Sequence, residues 1–456
     1  MTARLESTMA EPKEGLRDTA VPASKLERSA IAAKAGLKVG GNYARYLARR
    51  AVGRANTPEA KQALHRQNAQ DLYKEFTKLR GTALKLAQSM SLDTGTLPDE
   101  FVEVMTQAQY SVPPMNRALV RKIIRDALGQ YPEQLFASFD GQALAAASIG
   151  QVHRATLKDG RKVAVKVQYP NVRDTIKSDL ALGKTLMKRI VKADNIDAYV
   201  REVGARLYEE TDYLHEAKQL DFFKQQYDSD LILTPEPIHE LTRVNVLTMT
   251  FIEGVHMDAF LASEPPQERI DWYGQRLWDF IHEQIASNVR TIHADIHPGN
   301  FLFRDDGKLG VLDFGCVKTF PQAFRDAFLL LFGAQMDRDM ERVRALFHEV
   351  ELLHDGQDAA TQTRVFDFFT HFGQLILRPY RTATFDFAEP SFRADLNASF
   401  MEATQLNEVV GSEHFIYINK VMVGLFGLLL QLRPTIETGY SLSLLNDTIS
   451  GITAEE

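Results

Sequence analysis

Hydrophobic positions along the chain change their spacing, and the first regular stretch predicts helices. From Thr57 to about residue 92, apolar residues recur three or four positions apart, as in a helix that buries one face. Thr57-Pro58 is a favourable helix start, because a hydroxyl can cap the helix and proline suits its first turn. A further helix is predicted from Asn116 to Leu128, ended by Gly129.

Near residue 135 the pattern changes to one that is typical of strands. The segments 151–157 and 162–168 are joined by Lys158-Asp159-Gly160, which is a hairpin turn signal. In the second segment valines alternate with other residues, so Lys166 points away from the valine face.

The rest of the chain is predicted to be mostly helical. Two long helices are expected over 172–226 with a break near Asp194-Asn195, then a strand over 244–251, a helix over 267–288 and short strands at 301–304 and 308–312. Everything after Pro321 is predicted to be helical. The expected fold class is therefore α+β, with a β-containing lobe followed by a helical lobe and additional helices before it.

Composition narrows the class of protein. The chain has 456 residues, of which 45% are hydrophobic and 25% charged, so it can bury a large core. A net charge of −7 argues against a nucleic-acid partner. The single cysteine, Cys316, cannot form an intrachain disulfide, which fits a reducing compartment. The chain start lacks a signal-like apolar core and the longest late apolar run is Val423–Leu430, so we expect a cytoplasmic protein without a transmembrane segment.

Charge is concentrated near the amino terminus. Residues 1–20 are polar and predicted to be disordered, whereas residues 21–54 hold eight Lys or Arg against one acid. Four of these cations share one helical face: Lys34, Lys38, Arg45 and Arg49. The stretch is either the solvated face of a docking helix or a contact with an anionic membrane surface.

The stretch His293-Ala-Asp-Ile-His-Pro-Gly-Asn-Phe-Leu-Phe303 carries the candidate chemistry. Asn300 follows Asp295 by five positions, and Asp313-Phe-Gly follows Asn300 by thirteen, across a predicted hairpin. This is the order of a kinase catalytic loop followed by the D-F-G motif. Asp295 would accept a hydroxyl proton or orient water, and Asn300 and Asp313 offer the oxygen ligands that Mg²⁺ prefers. A zinc site at His293 and His297 is disfavoured, because Pro298 interrupts any helix that would align the two histidines.

Upstream stretches fit the nucleotide-binding half of the same pattern. Val163-Ala-Val-Lys166 matches the strand lysine motif, whose lysine neutralises the α- and β-phosphates. Ala143–Val152, ALAAASIGQV, matches the phosphate-loop pattern G-x-G-x-x-G-x-V at Gly150 and Val152, but Ala145 and Ala147 replace the first two glycines. Since each Cβ restricts the backbone, we expect a stiffer loop over the nucleotide.

Taken together, these motifs resemble those of the UbiB/ADCK family of atypical kinases, in a soluble, bacterial-type form. The resemblance covers about residues 20–450. It rests on a basic amino-terminal motif at 22–28, Lys85-Leu-Ala-Gln88 at the K-x-G-Q signature, the alanine-rich loop 145–148, Glu210-Thr-Asp212, and the catalytic stretches above. Ala87 departs from the family pattern, which has glycine there.

The resemblance implies a role for each matching residue. Lys85 and Gln88 would lie on an added helix over the active site, facing Glu210 and Asp212, with Lys85 paired to Glu210. Glu216 would pair with Lys166; within the sequence itself, Asp212 and Glu216 are expected to share a helix face. The residues expected to contact ATP are Ala145, Ala146, Ala147, Ser148, Gly150, Val152, Lys166, Glu216 and, through the backbone of the segment between the lobes, Glu253.

The expected domains are a disordered tail at 1–20, a helical extension with the K-x-x-Q motif at 21–130, a kinase-like amino-terminal lobe at 131–254 and a helical carboxy-terminal lobe at 255–456. The expected function is that of a Mg·ATP-binding atypical kinase or ATPase that supports ubiquinone or isoprenoid-lipid metabolism. Its expected partners are ATP and ADP, an isoprenoid or quinone-like lipid, an anionic membrane surface and quinone-biosynthesis enzymes, with no nucleic acid.

Two sequence features argue against an ordinary protein kinase. No A-P-E motif is recognisable, and helix-like sequence begins at Pro321, only six residues after Gly315. Two other functions stay open at this point. One is a small-molecule phosphotransferase of the aminoglycoside- or choline-kinase type, and the other is a nucleotide-gated scaffold without turnover.

Overall fold

The computed structural model describes residues 25–51, 57–79, 104, 115–147, 149–190, 200, 204, 207–403 and 411–455. Lys85, Ala87, Gln88, Ser148 and the tail at 1–20 lie outside these ranges. The chain forms two units. The first takes in the described residues of Met1–Leu92, Asp99–Gly160 and Val165–Leu207, and the second those of Arg161–Ala164 and Tyr208–Glu456.

The first unit begins with two packed helices. Helix α1 spans Lys25–Ala51 and helix α2 spans Pro58–Leu79. The predicted start of α2 is confirmed, since the Ala60 N–H donates to Thr57 Oγ1 at 3.3 Å. Buried Val39 and Leu72 belong to the apolar sides of the two helices, and Lys38 Nζ lies 2.7 Å from Glu75 Oε1.

Three further helices of this unit are α3 at Arg117–Leu128, α4 at Pro132–Leu135 and α5 at Val172–Ile190. The predicted bounds of α3 are confirmed. Asn116 caps its first turn by accepting from the Leu119 N–H at 2.8 Å, and Gly129 ends the helix with a φ of 80°.

The sheet of the first unit contains β1 at Ser138–Phe139, β2 at Ala145–Ala147, β3 at Gly150–Thr156 and the second half of β4 at Lys162–Gln168. Strands β1 and β2 both pair antiparallel with β3, and β4 follows β3 in the strand order. The predicted hairpin of β3 and β4 is thereby confirmed. Val163, Val165 and Val167 are fully buried.

In the second unit the helices are α6 at Tyr213–Tyr227, α7 at Met257–Ala262, α8 at Gln267–Ala286, α9 at Gln322–Asp337, α10 at Met340–Glu349, α11 at Ala359–Ile376, α12 at Pro390–Ala403, α13 at Glu413–Leu432 and α14 at Gly439–Glu455. Its short strands are β5 at Ile232–Leu233, β6 at Val246–Thr250, β7 at Thr291–His293, β8 at Phe301–Phe303, β9 at Leu309–Val311, β10 at Val317–Thr319, β11 at Thr384–Asp386 and β12 at Thr435–Glu437.

Short antiparallel pairs position the candidate site. Strand β8 pairs with β9, whose other edge carries β5, and β7 pairs with β10 so that His293 lies opposite Val317. Strand β6 lies beside β4, and the Phe251 N–H after β6 donates to Lys162 O at 3.0 Å. Helix α8 supports this arrangement through Trp278, which is fully buried and donates to Ser441 Oγ of α14 at 2.7 Å.

The prediction that everything after Pro321 is helical is wrong at β11 and β12. These strands pair antiparallel, with buried Phe385 opposite buried Ile436 and exposed residues on either side of each. Each strand is three residues long, which is too short for period-two alternation to be distinguished from a helix end.

Helix α13 contains the apolar run Val423–Leu430 and, at 20 residues, is longer than that run. By length and composition, α13 is the one helix among the described residues that is long and apolar enough to cross a membrane. However, 61% of its most apolar window is buried inside the protein, and core helices of soluble proteins meet the same criterion.

Candidate active site

The loop between β7 and β8 holds Asp295 and Asn300 together. It ends in a 3₁₀ turn at Pro298–Asn300, which brings the Asn300 amide back onto Asp295. Asn300 Nδ2 donates to the Asp295 backbone oxygen at 2.8 Å and to Asp295 Oδ2 at 3.1 Å. The Leu312 N–H donates to Asn300 O at 3.0 Å, which ties the loop to the end of β9.

His293 joins this loop to the D-F-G motif. The ring is fully buried, and burial lowers the pKa of the His293 imidazole. The Asp295 N–H donates to Nδ1 at 3.3 Å, which places the ring proton on Nε2, and Nε2 donates to Asp313 O at 2.6 Å. Gln284 of α8 accepts from the His293 N–H at 2.8 Å. Since both ring nitrogens are engaged within the protein, His293 is not a zinc ligand here.

The D-F-G residues are held from both sides. Asp313 Oδ1 accepts from the Gly315 N–H at 2.8 Å, which closes a tight turn. Phe314 is fully buried, with its ring centroid 4.6 Å from that of Phe223 in α6 and 5.2 Å from that of His293. The catalytic loop, the D-F-G motif and α6 therefore share one aromatic cluster.

Glu216 lies on α6, seven residues before Phe223. Its side chain is nearly buried, at 3% relative exposure, and a Cβ placed on Gly315 would lie 3.8 Å from Glu216 Oε2. Helix α6 therefore places a carboxylate beside the D-F-G glycine.

The expectation that Asp212 and Glu216 share a helix face is wrong. Asp212 is the N-cap of α6, with φ −113° and ψ 91°, and its side chain accepts from the Leu214 and His215 N–H groups at 3.1 and 3.3 Å. A helix-breaking cap explains the difference, because aspartate competes for the backbone at this position. Glu210 is half-buried and precedes this turn.

Lys420 is a residue that the sequence analysis did not single out. It lies on α13, and its Nζ is 3.2 Å from Asp295 Oδ1. Between Phe415 and Leu432 it is the only charged residue in the sequence. That isolated charge in an apolar helix is the signal that could have identified it.

Glu253 follows β6 as expected. Its carboxylate lies 2.6 Å from Lys162 Nζ, but both side chains are 64% exposed, so this pair adds little stability. Its carbonyl accepts from Arg304 Nη1 at 2.6 Å, which ties the backbone of the segment to the residue that follows β8.

In the first unit, the alanine-rich stretch is a strand rather than an open loop. Ala145 pairs with Val152 and Ala147 pairs with Gly150 in antiparallel register. A side chain on Gly150 would collide with the Val167 carbonyl of β4. Gly150 is therefore required by the approach of β3 to β4, independently of any nucleotide. Lys166 lies on β4 with 7% relative exposure.

The second unit thus brings together Asp295, Asn300, Asp313 and Glu216, which the sequence analysis named. It adds Lys420, Phe223 and Gln284, which it did not name. Lys85, Gln88 and Ser148 fall outside the described residues, so their placement stays a prediction. The described residues contain no group of three His, Cys, Asp or Glu side chains arranged to hold a metal.

Comparisons with known proteins agree on the type of domain. The profile of the ABC1 atypical kinase-like domain matches residues 107–347, which is over half of the chain. "Probable serine/threonine-protein kinase abkA" of Dictyostelium discoideum is 30% identical over 60% of this chain and 52% of its own length. "Atypical kinase COQ8, mitochondrial" of Saccharomyces cerevisiae is 31% identical over 72% of this chain and 66% of its own length. This chain thus spans between about half and two thirds of these two relatives.

A solved structure agrees on the fold. It is described as the complex of Rv3197 with erythromycin from Mycobacterium tuberculosis, and it is similar with a TM-score of 0.60 and 24% identity over 86% of this chain and 98% of that one. The predicted kinase-like α+β fold is confirmed by this similarity and by the family match.

Proposed function

Because this chain belongs to the ABC1 atypical kinase-like family, also called UbiB/ADCK, we propose that it binds Mg·ATP and cleaves the terminal phosphoryl group. The observation that carries the proposal is that hydrogen bonds connect Asp295 directly to Asn300 and, through His293, to Asp313. These three residues follow one another in the order and spacing of a phosphoryl-transfer centre.

The donor atoms suit a magnesium ion. Asn300 donates through Nδ2 to Asp295, so its Oδ1 is the atom that would ligate the cation. Asp313 would ligate through its carboxylate, whose Oδ1 is already oriented by Gly315. When bound, the ion would neutralise charge on the phosphate oxygens.

The protein's own groups would do the rest. Asp295 would accept the proton of the attacking hydroxyl or water. Lys166, partnered with Glu216, would hold the α- and β-phosphates, and the β2–β3 hairpin with Ser148 would cover them. Adenine would contact the backbone near Glu253. Lys85 and Gln88, facing Glu210 and Asp212, would close the site against peptides.

The acceptor is proposed to be water or a lipid-linked molecule rather than a protein. Strand β10 begins two residues after Gly315 and α9 begins at Gln322, which leaves no segment for docking a peptide. The family match supports a role related to ubiquinone, and we extend it to quinone or isoprenoid-lipid metabolism with quinone-biosynthesis enzymes as partners. Peripheral attachment to an anionic membrane through α1 is proposed from the cations of that helix.

ATP hydrolysis tests the proposal directly. Asp295→Asn and Asp313→Asn should each lower turnover on the order of 100-fold or more, because each removes a charged group from the transition state. Asp230→Asn is the matched control, since that exposed carboxylate is distant from the loop in sequence and is expected to leave turnover unchanged.

Three results would contradict parts of the proposal. Wild-type protein that releases no phosphate at saturating Mg·ATP, with and without anionic vesicles, is not an ATPase. Tight nucleotide binding without turnover under all these conditions would indicate a nucleotide-gated scaffold. Stoichiometric phosphorylation of a small alcohol would indicate a small-molecule phosphotransferase.

A further inference from the structure

We propose that Lys420 is a positioning residue of this phosphoryl-transfer centre, which fixes the Asp295 carboxylate in its working orientation from a helix remote in sequence. The inference rests on the proposed function. It assigns a role to a residue that none of the catalytic motifs contains.

The Asp295 carboxylate is held by two side chains. Each carboxylate oxygen has its own donor, because Lys420 Nζ lies 3.2 Å from Oδ1 and Asn300 Nδ2 lies 3.1 Å from Oδ2. A carboxylate held at both oxygens cannot rotate without breaking a contact.

Stability does not explain the pair. The side chains of Lys420 and Asp295 keep 32% and 40% of their exposure, and ion pairs this exposed add little to folding. An ammonium beside the proton acceptor does have a use in the reaction, since it can hold the carboxylate in the orientation that meets the attacking hydroxyl or water.

Helix α13 packs closely against the catalytic loop. A Cβ on Gly424, one turn beyond Lys420, would lie 2.6 Å from Ile296 O and 2.9 Å from Ile296 Cβ. Only glycine therefore lets the helix lie this close to the catalytic loop. At the start of α13, Glu413 pairs with Lys318 in β10, just after the D-F-G motif. The helix is thus attached to both motif-bearing segments, with Lys420 between the two attachments.

The test compares Lys420→Met and Lys420→Arg with the control Lys308→Met. Lys308 matches Lys420 in exposure, at 32%, and its ion-pair partner is Asp230 rather than Asp295. Lys420→Met should lower kcat for ATP hydrolysis by about 10- to 100-fold, with KM for ATP little changed, because it misorients the proton acceptor without removing a nucleotide contact. Lys420→Arg should restore most of kcat, and Lys308→Met should keep it.

Two results would overturn the inference. One is a wild-type kcat in folded Lys420→Met, and the other is a loss confined to KM, which would make Lys420 a nucleotide contact instead. A crystal structure of the wild-type protein needs no turnover, and a Lys420 Nζ outside hydrogen-bond reach of both Asp295 carboxylate oxygens would mean that the pair does not form. Wild-type protein without ATP hydrolysis would refute the proposed function, whereas the crystal structure would still decide the pairing.

Discussion

Burial raises the pKa of the Asp279 carboxyl to about 6, although Gln275 Nε2 donates to it at 2.9 Å and Arg276 lies 3.4 Å away. Loss of hydration therefore outweighs both favourable contacts. Because the folded pKa lies above the unfolded one, the folded state binds the extra proton between about pH 4 and pH 6.

Stability should consequently fall as pH rises through that window, and Asp279→Asn should remove this decline. Relative to wild type, the variant should gain roughly 1–3 kcal/mol in unfolding free energy between pH 4.5 and pH 7.5. Urea unfolding at the two pH values measures the difference. An equal effect of the substitution at both would show that Asp279 titrates normally.

Three of the site residues found from sequence lie close together along the chain, unlike two of those that were missed. Asp295, Asn300 and Asp313 lie within nineteen positions, so their spacing is itself the signal. Lys420 reaches Asp295 from 125 residues away, and Phe223 meets Phe314 through packing alone. Contacts made only by the tertiary fold leave no local spacing to recognise.

Because Ala145 and Ala147 lie in β2, which pairs with β3, replacing either alanine should have a measurable effect. Ala145→Gly restores the phosphate-loop glycine but loosens a paired strand, which costs about 0.5–1 kcal/mol. We expect a change in ATP affinity or in ATP/ADP preference, measured by calorimetry. Binding constants equal to those of wild type would mean that the alanines are neutral. Gly150→Ala, which collides with β4, should instead lower the melting temperature.

Helix α6 is the element on which the aromatic cluster depends. Phe223→Ala should destabilise the protein by about 3–5 kcal/mol and lower ATP turnover, because it removes the packing that holds Phe314. Half-buried Phe222 is the matched control, and Phe222→Ala should cost less and leave turnover nearly intact. Equal stability losses in the two variants would contradict the role given to Phe223.

Most elements whose ends carry capping or turn residues were predicted from sequence. Helix α3 has Asn116 and Gly129 at its ends, and β3 and β4 flank a turn with Gly160 at φ 92°. The turn at Asp212 was missed because its neighbours keep helical spacing, and β11 and β12 were missed because three residues carry too little pattern.

For the whole molecule, α1 offers the candidate membrane surface. Leu37 and Leu47 are 78% and 57% exposed, on a helix whose exposed cations include Lys34, Arg49 and Arg50. Reversing these three charges to Glu should lower binding to anionic vesicles on the order of 100-fold, at about 1 kcal/mol per cation removed. Vesicle flotation measures the bound fraction.

The matched control reverses three exposed lysines elsewhere in the same unit, Lys122, Lys158 and Lys177, with the same change in net charge. Equal losses in both variants would indicate a net-charge effect rather than a surface on α1. Unchanged flotation after deletion of residues 21–54 would exclude this segment as the anchor.

The kinase-like α+β fold as a whole was predictable, because motif order along the chain fixes the order of its parts. The attachment of α13 was not predictable, since its apolar sequence suits any buried helix.

That attachment also bears on how the protein is made. The catalytic loop leaves the ribosome before α13 is made, because Lys420 and Gly424, which contact the loop, come over a hundred residues later in the chain. Long-range contacts of this kind form late, after the intervening chain has closed. A nascent or truncated chain that ends before α13 would therefore carry every catalytic motif and still lack a finished centre, which separates activity from the mere presence of the motifs.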